Sequence, residues 1–197
     1  KDGTGDYATI QAGITAASTG DTILVYEGTY EEHIDFSGKH IVVTSNYITT
    51  NDTSTIGNTI IKGTSNNAVV IFSEGNSTSG TLNGFTVTNG KGIEWTSSAF
   101  DRAGGGIYVG QRMSPTISNC FIRGNTCAGN CAGAGIMVYS GSPTIENCII
   151  ENNTTEKGQG GGIYIEDGTN TNVKISRTLI RNNKADFEGG GIFSNNK

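Results

Sequence analysis

Gly104-Gly105-Gly106-Ile107-Tyr108, Gly133-Ala134-Gly135-Ile136-Met137, Gly160-Gly161-Gly162-Ile163-Tyr164 and Gly189-Gly190-Gly191-Ile192-Phe193 are four copies of one phrase, a glycine-rich stop followed by a short apolar strand. Their last glycines are 29, 27 and 29 residues apart, a period in the range where internal repeats mean a solenoid. The expectation is an all-β coil of about 28 residues per turn. Neighbouring windings of such a coil are parallel, and strand twist gives it the right hand. Six or so turns at the parallel spacing would stand about 30 Å tall.

Working outward, the columns can be aligned turn by turn. Leu82, Ile117, Ile145 and Ile175 form one column, Val87, Ile122, Ile150 and Ile180 another, and Phe85, Cys120, Cys148 and Thr178 a third. All three are read as pointing inward. Alternation along a strand puts Ile107, Ile136, Ile163 and Ile192 inside and Tyr108, Met137, Tyr164 and Phe193 outside. A second outward column comprises Thr86, Phe121, Ile149 and Leu179, flanked by Arg123, Glu151 and Arg181 alternating in sign. Asn125, Asn153 and Asn183 recur at one corner, where Asn tolerates left-handed backbone and its amides can stack as a ladder. The step from Leu82 to Ile117 is seven residues longer than the next, so residues 90–103 are read as an insertion bulging from the coil.

Ahead of the repeats, residues 6–17 carry an Asp near the start and Ile10 and Ile14 four apart, the pattern of a short amphipathic helix. Strand-length segments follow at 22–26, 32–36, 40–45, 59–62, 68–72 and 82–88, divided by turn residues. The division expected is a cap over 1–20, N-terminal turns over 21–89, the inserted loop over 90–103 and glycine-rich repeats over 104–197. The last repeat stops after one strand at Lys197, an open sheet edge of a kind proteins normally cover. The polypeptide is therefore expected to continue, with end-to-end or domain contacts at that turn.

Composition excludes several classes. Glycine makes up 30 of 197 residues, about twice the usual share, but it clusters at turns rather than in a collagen period. The net charge of −5 and the lack of any basic block argue against a nucleic-acid surface. No run of eighteen apolar residues occurs, so no helix spans a membrane. The chain opens at Lys1 without a charged-then-apolar leader, so a secretion leader would have been removed or lie upstream. Asn, Thr, Ser and Gly dominate over Lys and Glu, which fits an extracellular or cell-surface protein. Asn51-Asp52-Thr53, Asn76-Ser77-Thr78 and Asn152-Asn153-Thr154 match glycosylation acceptors. Cys120 and Cys148 share a repeat position and read as stacked buried thiols. Cys127 and Cys131, four apart in a Gly-containing loop, could close a small disulfide. A zinc site lacks ligands, since His33 and His40 lie far back in the chain.

The segments Asp2-Gly3-Thr4-Gly5-Asp6-Tyr7-Ala8-Thr9-Ile10-Gln11, Gly20-Asp21-Thr22-Ile23-Leu24-Val25 and Gly28-Thr29-Tyr30-Glu31-Glu32 resemble the N-terminal signature of the pectate-lyase-like right-handed parallel β-helix superfamily. Ser114-Pro115-Thr116-Ile117-Ser118-Asn119-Cys120 and Ser142-Pro143-Thr144-Ile145-Glu146-Asn147-Cys148 resemble repeats of bacterial and archaeal surface β-helix proteins. The resemblance implies the fold, with an N-terminal capping helix, and a polysaccharide or cell-surface glycan as partner; one fold hosts many activities. Pectin methylesterases of this superfamily use paired aspartates and an arginine in Gln-Asp-Thr-Leu and Asp-Phe-Ile-Phe-Gly-like segments, and neither segment occurs here. Pectate lyases hold calcium with acids on adjacent turns. The matching columns here read Asp101, Asn130, Lys157, Asp186 and Ala103, Ala132, Gln159, Glu188, with no two acids adjacent. Asp101 and Asp186, three turns apart, stand about 14 Å from one another, too far to share an ion. No cofactor or metal ligand set is evident, and calcium stays open.

Three readings of function follow. The first is a module binding extended polysaccharide along Tyr108, Met137, Tyr164 and Phe193, with Trp95 of the inserted loop beside them, because flat aromatic faces suit sugar rings. That outward column equally suits a stabilised sheet lying under the loop. The second is part of a polysaccharide lyase or hydrolase, with Asp101, Arg102, Lys157, Asp186 and Glu188 on the rim as candidate acids and bases. The third is a structural or adhesive spacer that binds protein.

Overall fold

The computed structural model describes residues 5–73, 80–95, 100–166, 168 and 171–195. Asn76-Ser77-Thr78 therefore lies outside the described residues, as do Asp2-Gly3-Thr4 of the opening motif.

Three six-stranded sheets take one strand from each of six successive windings. The first runs Thr22–Val25, Val42–Ser45, Thr81–Asn83, Thr116–Ser118, Thr144–Glu146 and Lys174–Ser176. The second runs Gly28–Glu31, Thr59–Lys62, Thr86–Thr88, Phe121–Arg123, Ile149–Glu151 and Leu179–Arg181. The third begins at Ile34–Asp35 and ends at Ile192–Asn195. All pairings within them are parallel and in register: Ile117 lies over Leu82 and under Ile145, and Ile122 lies between Val87 and Ile150. The chain is a parallel β-helix. The predicted segment 82–88 is two strands, since Gly84 turns the corner between the first and second sheets.

Short strands can close into a coil because left-handed residues stand at the corners. Between the first and second sheets these are Gly84, Asn119, Asn147 and Arg177, with φ of 82°, 52°, 52° and 47°. After the second sheet they are Asn89, Gly124, Asn152 and Asn182, with φ of 62°, 64°, 55° and 53°. The left-handed expectation for Asn125, Asn153 and Asn183 is thus displaced by one residue. Those three turn inward instead, where Asn125 and Asn153 are fully buried. Asn125 Nδ2 donates to Asn153 Oδ1 at 2.9 Å and Asn153 Nδ2 to Asn183 Oδ1 at 2.9 Å. The same amides donate to the Val87, Ile122 and Ile150 carbonyls one winding back. The ladder satisfies backbone groups that the corner would otherwise bury unpaired.

Inside, the isoleucine columns are buried as far as the last winding, where Ile175 and Ile180 are half-buried and Ile192, expected inside, is exposed because no further winding among the described residues covers it. Ile107, Ile117, Ile122, Ile136, Ile145, Ile150 and Ile163 are fully buried, each contributing about 1.5–3 kcal/mol relative to exposure. The first end of this core is closed by helix α1, Ile10–Ala16, which buries Ile10, Gly13 and Ile14. Its N-cap is Thr9, whose hydroxyl accepts from Ala12 N at 3.1 Å; the Asp of the sequence reading, Asp6, lies upstream of the helix. Glu32 accepts from Ile10 N and Gln11 N at 3.0 and 2.9 Å, and Lys39 Nζ donates to the Ile14, Thr15 and Ala17 carbonyls at 2.8, 2.8 and 2.9 Å. Opposite charges thus sit at the ends where the helix dipole favours them.

Two further short helices, α2 (Tyr47–Thr50) and α3 (Thr53–Asn58), replace the expected all-strand continuation. Asp52 caps α3 through Ser54 N, and the Ile56 carbonyl accepts from buried Thr86 Oγ1 at 2.9 Å. Helix α3 thus covers Thr86 at the start of the second outward column; Leu179, at its far end, is 47% exposed. Of the alternating charges beside that column, Arg181 Nε donates to Glu151 Oε2 at 2.8 Å, while Arg123 lies over the Phe121 ring.

Asn153→Ala is expected to lower stability by at least about 2 kcal/mol, because it removes partners from groups on the windings on both sides of it. Thr155 Oγ1 is buried with no hydrogen-bond partner among the described residues. Thr155→Val keeps its shape and is expected to raise stability by about 1 kcal/mol. Urea unfolding followed by circular dichroism checks both signs.

Candidate functional site

The outward column forms as read: Tyr108, Met137, Tyr164 and Phe193 stack in register, with Ile71 before them. The insertion, however, does not bulge away. Ile93–Glu94 pairs antiparallel with Arg102–Ala103, which in turn adds in parallel to Thr126–Ala132 and, beyond it, Thr154–Gln159. This fourth sheet folds the insertion back as a flap over the column. Trp95 meets Tyr139 edge-on at 4.8 Å and Tyr108 at 6.1 Å, Phe100 meets Tyr164 edge-on at 5.3 Å, and Tyr164 stacks on Phe193 at 5.3 Å.

The consequence corrects the polysaccharide-ladder expectation. Met137 is 0%, Tyr164 1% and Trp95 7% exposed. Tyr108 and Phe193 are half-buried. These five residues form a second hydrophobic core rather than an open strip for a sugar chain. A continuous apolar column in water is unfavourable in proportion to its area, and the flap removes that area.

The Cys127–Cys131 disulfide forms, with Cα atoms 5.8 Å apart, across a register shift in Thr126–Ala132. Gly92 of the flap packs so tightly on Cys127 Sγ that a Cβ there would collide. Cys120 and Cys148 are free, buried thiols. The hydrogen bond between them and burial push the Cys148 thiol well above its ordinary range, so it stays protonated and unreactive.

The candidate acids and bases do not converge on a cleft. Asp101, Lys157, Asp186 and Glu188 are exposed and Arg102 is half-buried. Arg102 Nη1 donates to the Gly92 carbonyl at 3.1 Å and so braces the flap. Asp186 approaches Lys184 at 3.8 Å, and Glu188 Oε2 accepts from Gln159 Nε2 at 2.8 Å. Exposed pairs of this kind are worth about 0–1 kcal/mol. Among the described residues no three His, Cys, Asp or Glu side chains gather as a metal site.

A concave feature among the described residues lies elsewhere, at the N-terminal end. A groove of about 1040 Å³ runs between the segment leading into α1 and the first strand, lined by Asp6, Tyr7, Leu24, Tyr26, Glu27 and Asn46. Tyr7 is 54%, Leu24 41% and Tyr26 62% exposed. Its floor is fixed: nearly buried Tyr30 donates its hydroxyl to the Tyr26 carbonyl at 2.9 Å. Glu27 Oε2 accepts from Asn58 Nδ2 at 3.4 Å, and Asn46 Oδ1 accepts from Thr49 Oγ1 at 2.6 Å. The sequence reading missed this site because its residues come from separate segments. The available signal was Tyr26, an aromatic beyond the end of a strand and outside any column.

The family described as "Right handed beta helix region" matches residues 47–197, and the chain belongs to it. No functionally curated protein matches the chain. Among solved structures it is similar to the pectin methylesterase from Aspergillus niger in penultimately deglycosylated form, at 17% identity and a TM-score of 0.42, covering 100% of this chain and 79% of that one. The deglycosylated form of that enzyme gives 17% identity and a TM-score of 0.41, covering 99% and 79%.

Burial, and next the Glu166 carboxylate accepting its hydroxyl proton at 2.9 Å, raise Tyr164 above its ordinary value of 10.0. A group raised in the folded state contributes stability that is intact below its unfolded value and is lost as pH climbs beyond it. Stability is therefore expected to fall above pH about 10, and Tyr164→Phe should flatten that decline. Urea midpoints of the two proteins from neutral pH upward measure the difference.

Proposed function

We propose that this chain is an extracellular β-helix module that binds saccharide in the N-terminal groove. One observation carries the reading: two tyrosines, Tyr7 and Tyr26, stay more than half exposed along a preformed concavity, whereas the aromatic side chains of the flap cluster are buried or half-buried. A tyrosine ring offers a flat apolar face to the C–H face of a pyranose, and the polar groups around it can meet the hydroxyl rim. The coil beneath supports the groove as a rigid base. The disulfide supports an oxidising, extracellular setting. Asn51 and Asn152, both exposed, fit the same setting as glycan acceptors.

Calorimetric titration with a panel of neutral and acidic oligosaccharides tests the proposal. Tyr26→Ala is expected to weaken the bound sugar about tenfold, the worth of one aromatic face. Equal affinity in the variant and the wild type would remove the groove from the account.

A further inference from the structure

We infer that the groove selects neutral, hydroxyl-rich sugars and rejects uronates. The inference rests on the saccharide reading above and adds to it the sign of charge that the site accepts. Two carboxylates, Asp6 and Glu27, line the groove, and among the described residues that line it there is no Lys, Arg or His. Both acids are exposed, and neither is ion-paired among the described residues; Glu27 accepts from the neutral Asn58 amide at 3.4 Å. The chain as a whole adds a net charge of −5.

The donor and acceptor pattern points the same way. Asn46 spends its oxygen on Thr49, which leaves the Nδ2 amide free to donate among the described residues. The groove thus offers two strong acceptors, one amide donor and two ring faces. A neutral sugar supplies what this set lacks: hydroxyl protons for Asp6 and Glu27, a hydroxyl oxygen for Asn46, and an apolar face for Tyr7 and Tyr26. A uronate replaces a hydroxymethyl group with an anion that meets two like charges and no cation. Like-charge juxtaposition is a direct means of rejecting a ligand of otherwise matching shape.

The probes are galacturonic acid tetramers and their carboxyl-reduced counterparts, which differ only in carboxylate against hydroxymethyl, titrated into the full chain by calorimetry. At low ionic strength the neutral tetramer is expected to bind at least about tenfold more tightly. The ratio should shrink in about 0.5 M salt, where screening acts within a few ångströms. It should also fall towards one in the Asp6→Asn/Glu27→Gln double variant, which keeps an acceptor at each position. If the uronate binds as tightly as its neutral twin while Tyr26→Ala weakens both, the saccharide reading stands and the charge selection is overturned. If neither tetramer nor the wider panel binds, or Tyr26→Ala changes nothing, both fall together.

Discussion

The in-register stacking of one winding on the next governs everything else in this molecule. A winding taken alone cannot pair its peptide groups, and its isoleucines meet a partner only at the parallel spacing of about 4.8 Å. Because side chains alternate along a strand, slipping one winding by a single residue would turn its isoleucine, Ile107, Ile136 or Ile163, outward and drive its bulky outward neighbour, Tyr108, Met137 or Tyr164, into the interior. The Asn125–Asn153–Asn183 ladder opposes such a slip. Each amide binds both its counterpart on the next winding and a carbonyl of the preceding one, so a displaced winding loses several buried hydrogen bonds together. The apolar columns supply the energy, and the ladder supplies the register.

Those parts that repeat were legible in the sequence. The Ile117 and Ile122 columns, the asparagine corner and the outward aromatic column all follow from a period near 28 residues, since position in the turn fixes the side of the sheet. Apart from the N-terminal helix, marked by Ile10 and Ile14, and the close cysteines Cys127 and Cys131, what does not repeat was not legible. Helix α2 has no side-chain cap to announce it in the β-branched text Tyr47-Ile48-Thr49-Thr50, and α3 rests in part on the Thr86 hydroxyl, which comes from a distant strand. The flap depends on an antiparallel strand pair inside a parallel coil, so no periodic argument could place Trp95 over Tyr108. The groove brings residues 5–10, which belong to no column, against residues 22–27 and Asn46, which follow one another in the register of the first sheet.

Aromatic side chains meet opposite fates at the two places, for one physical reason. A solenoid that repeats Tyr108, Met137, Tyr164 and Phe193 at one outward position builds a strip that lengthens with every winding, and a strip of that size needs a cover. The flap is that cover, with Gly92 letting it approach the Cys127 sulfur closely. Tyr7 and Tyr26 belong to no column and build no strip. Scattered singly, they can remain in water at small cost, so a surface that must stay open can use them.

The cap is also where local preference yields to geometry. Gly13 sits in the middle of α1, where glycine costs about 1 kcal/mol relative to alanine. A methyl there would lie 3.3 Å from the Ile23 side chain and 3.7 Å from the Tyr7 ring. The glycine therefore lets the helix settle onto the first strand and holds the Tyr7 ring beside it. Gln11 fastens the same helix to Asp35, its Oε1 accepting from Asp35 N at 2.7 Å, while Glu32 and Lys39 hold its two ends. A seven-residue helix is marginal alone in water, yet here the first winding clamps it at both ends and its middle. A wall fixed in this way keeps the groove's shape before any ligand arrives, which lowers the ordering cost of binding.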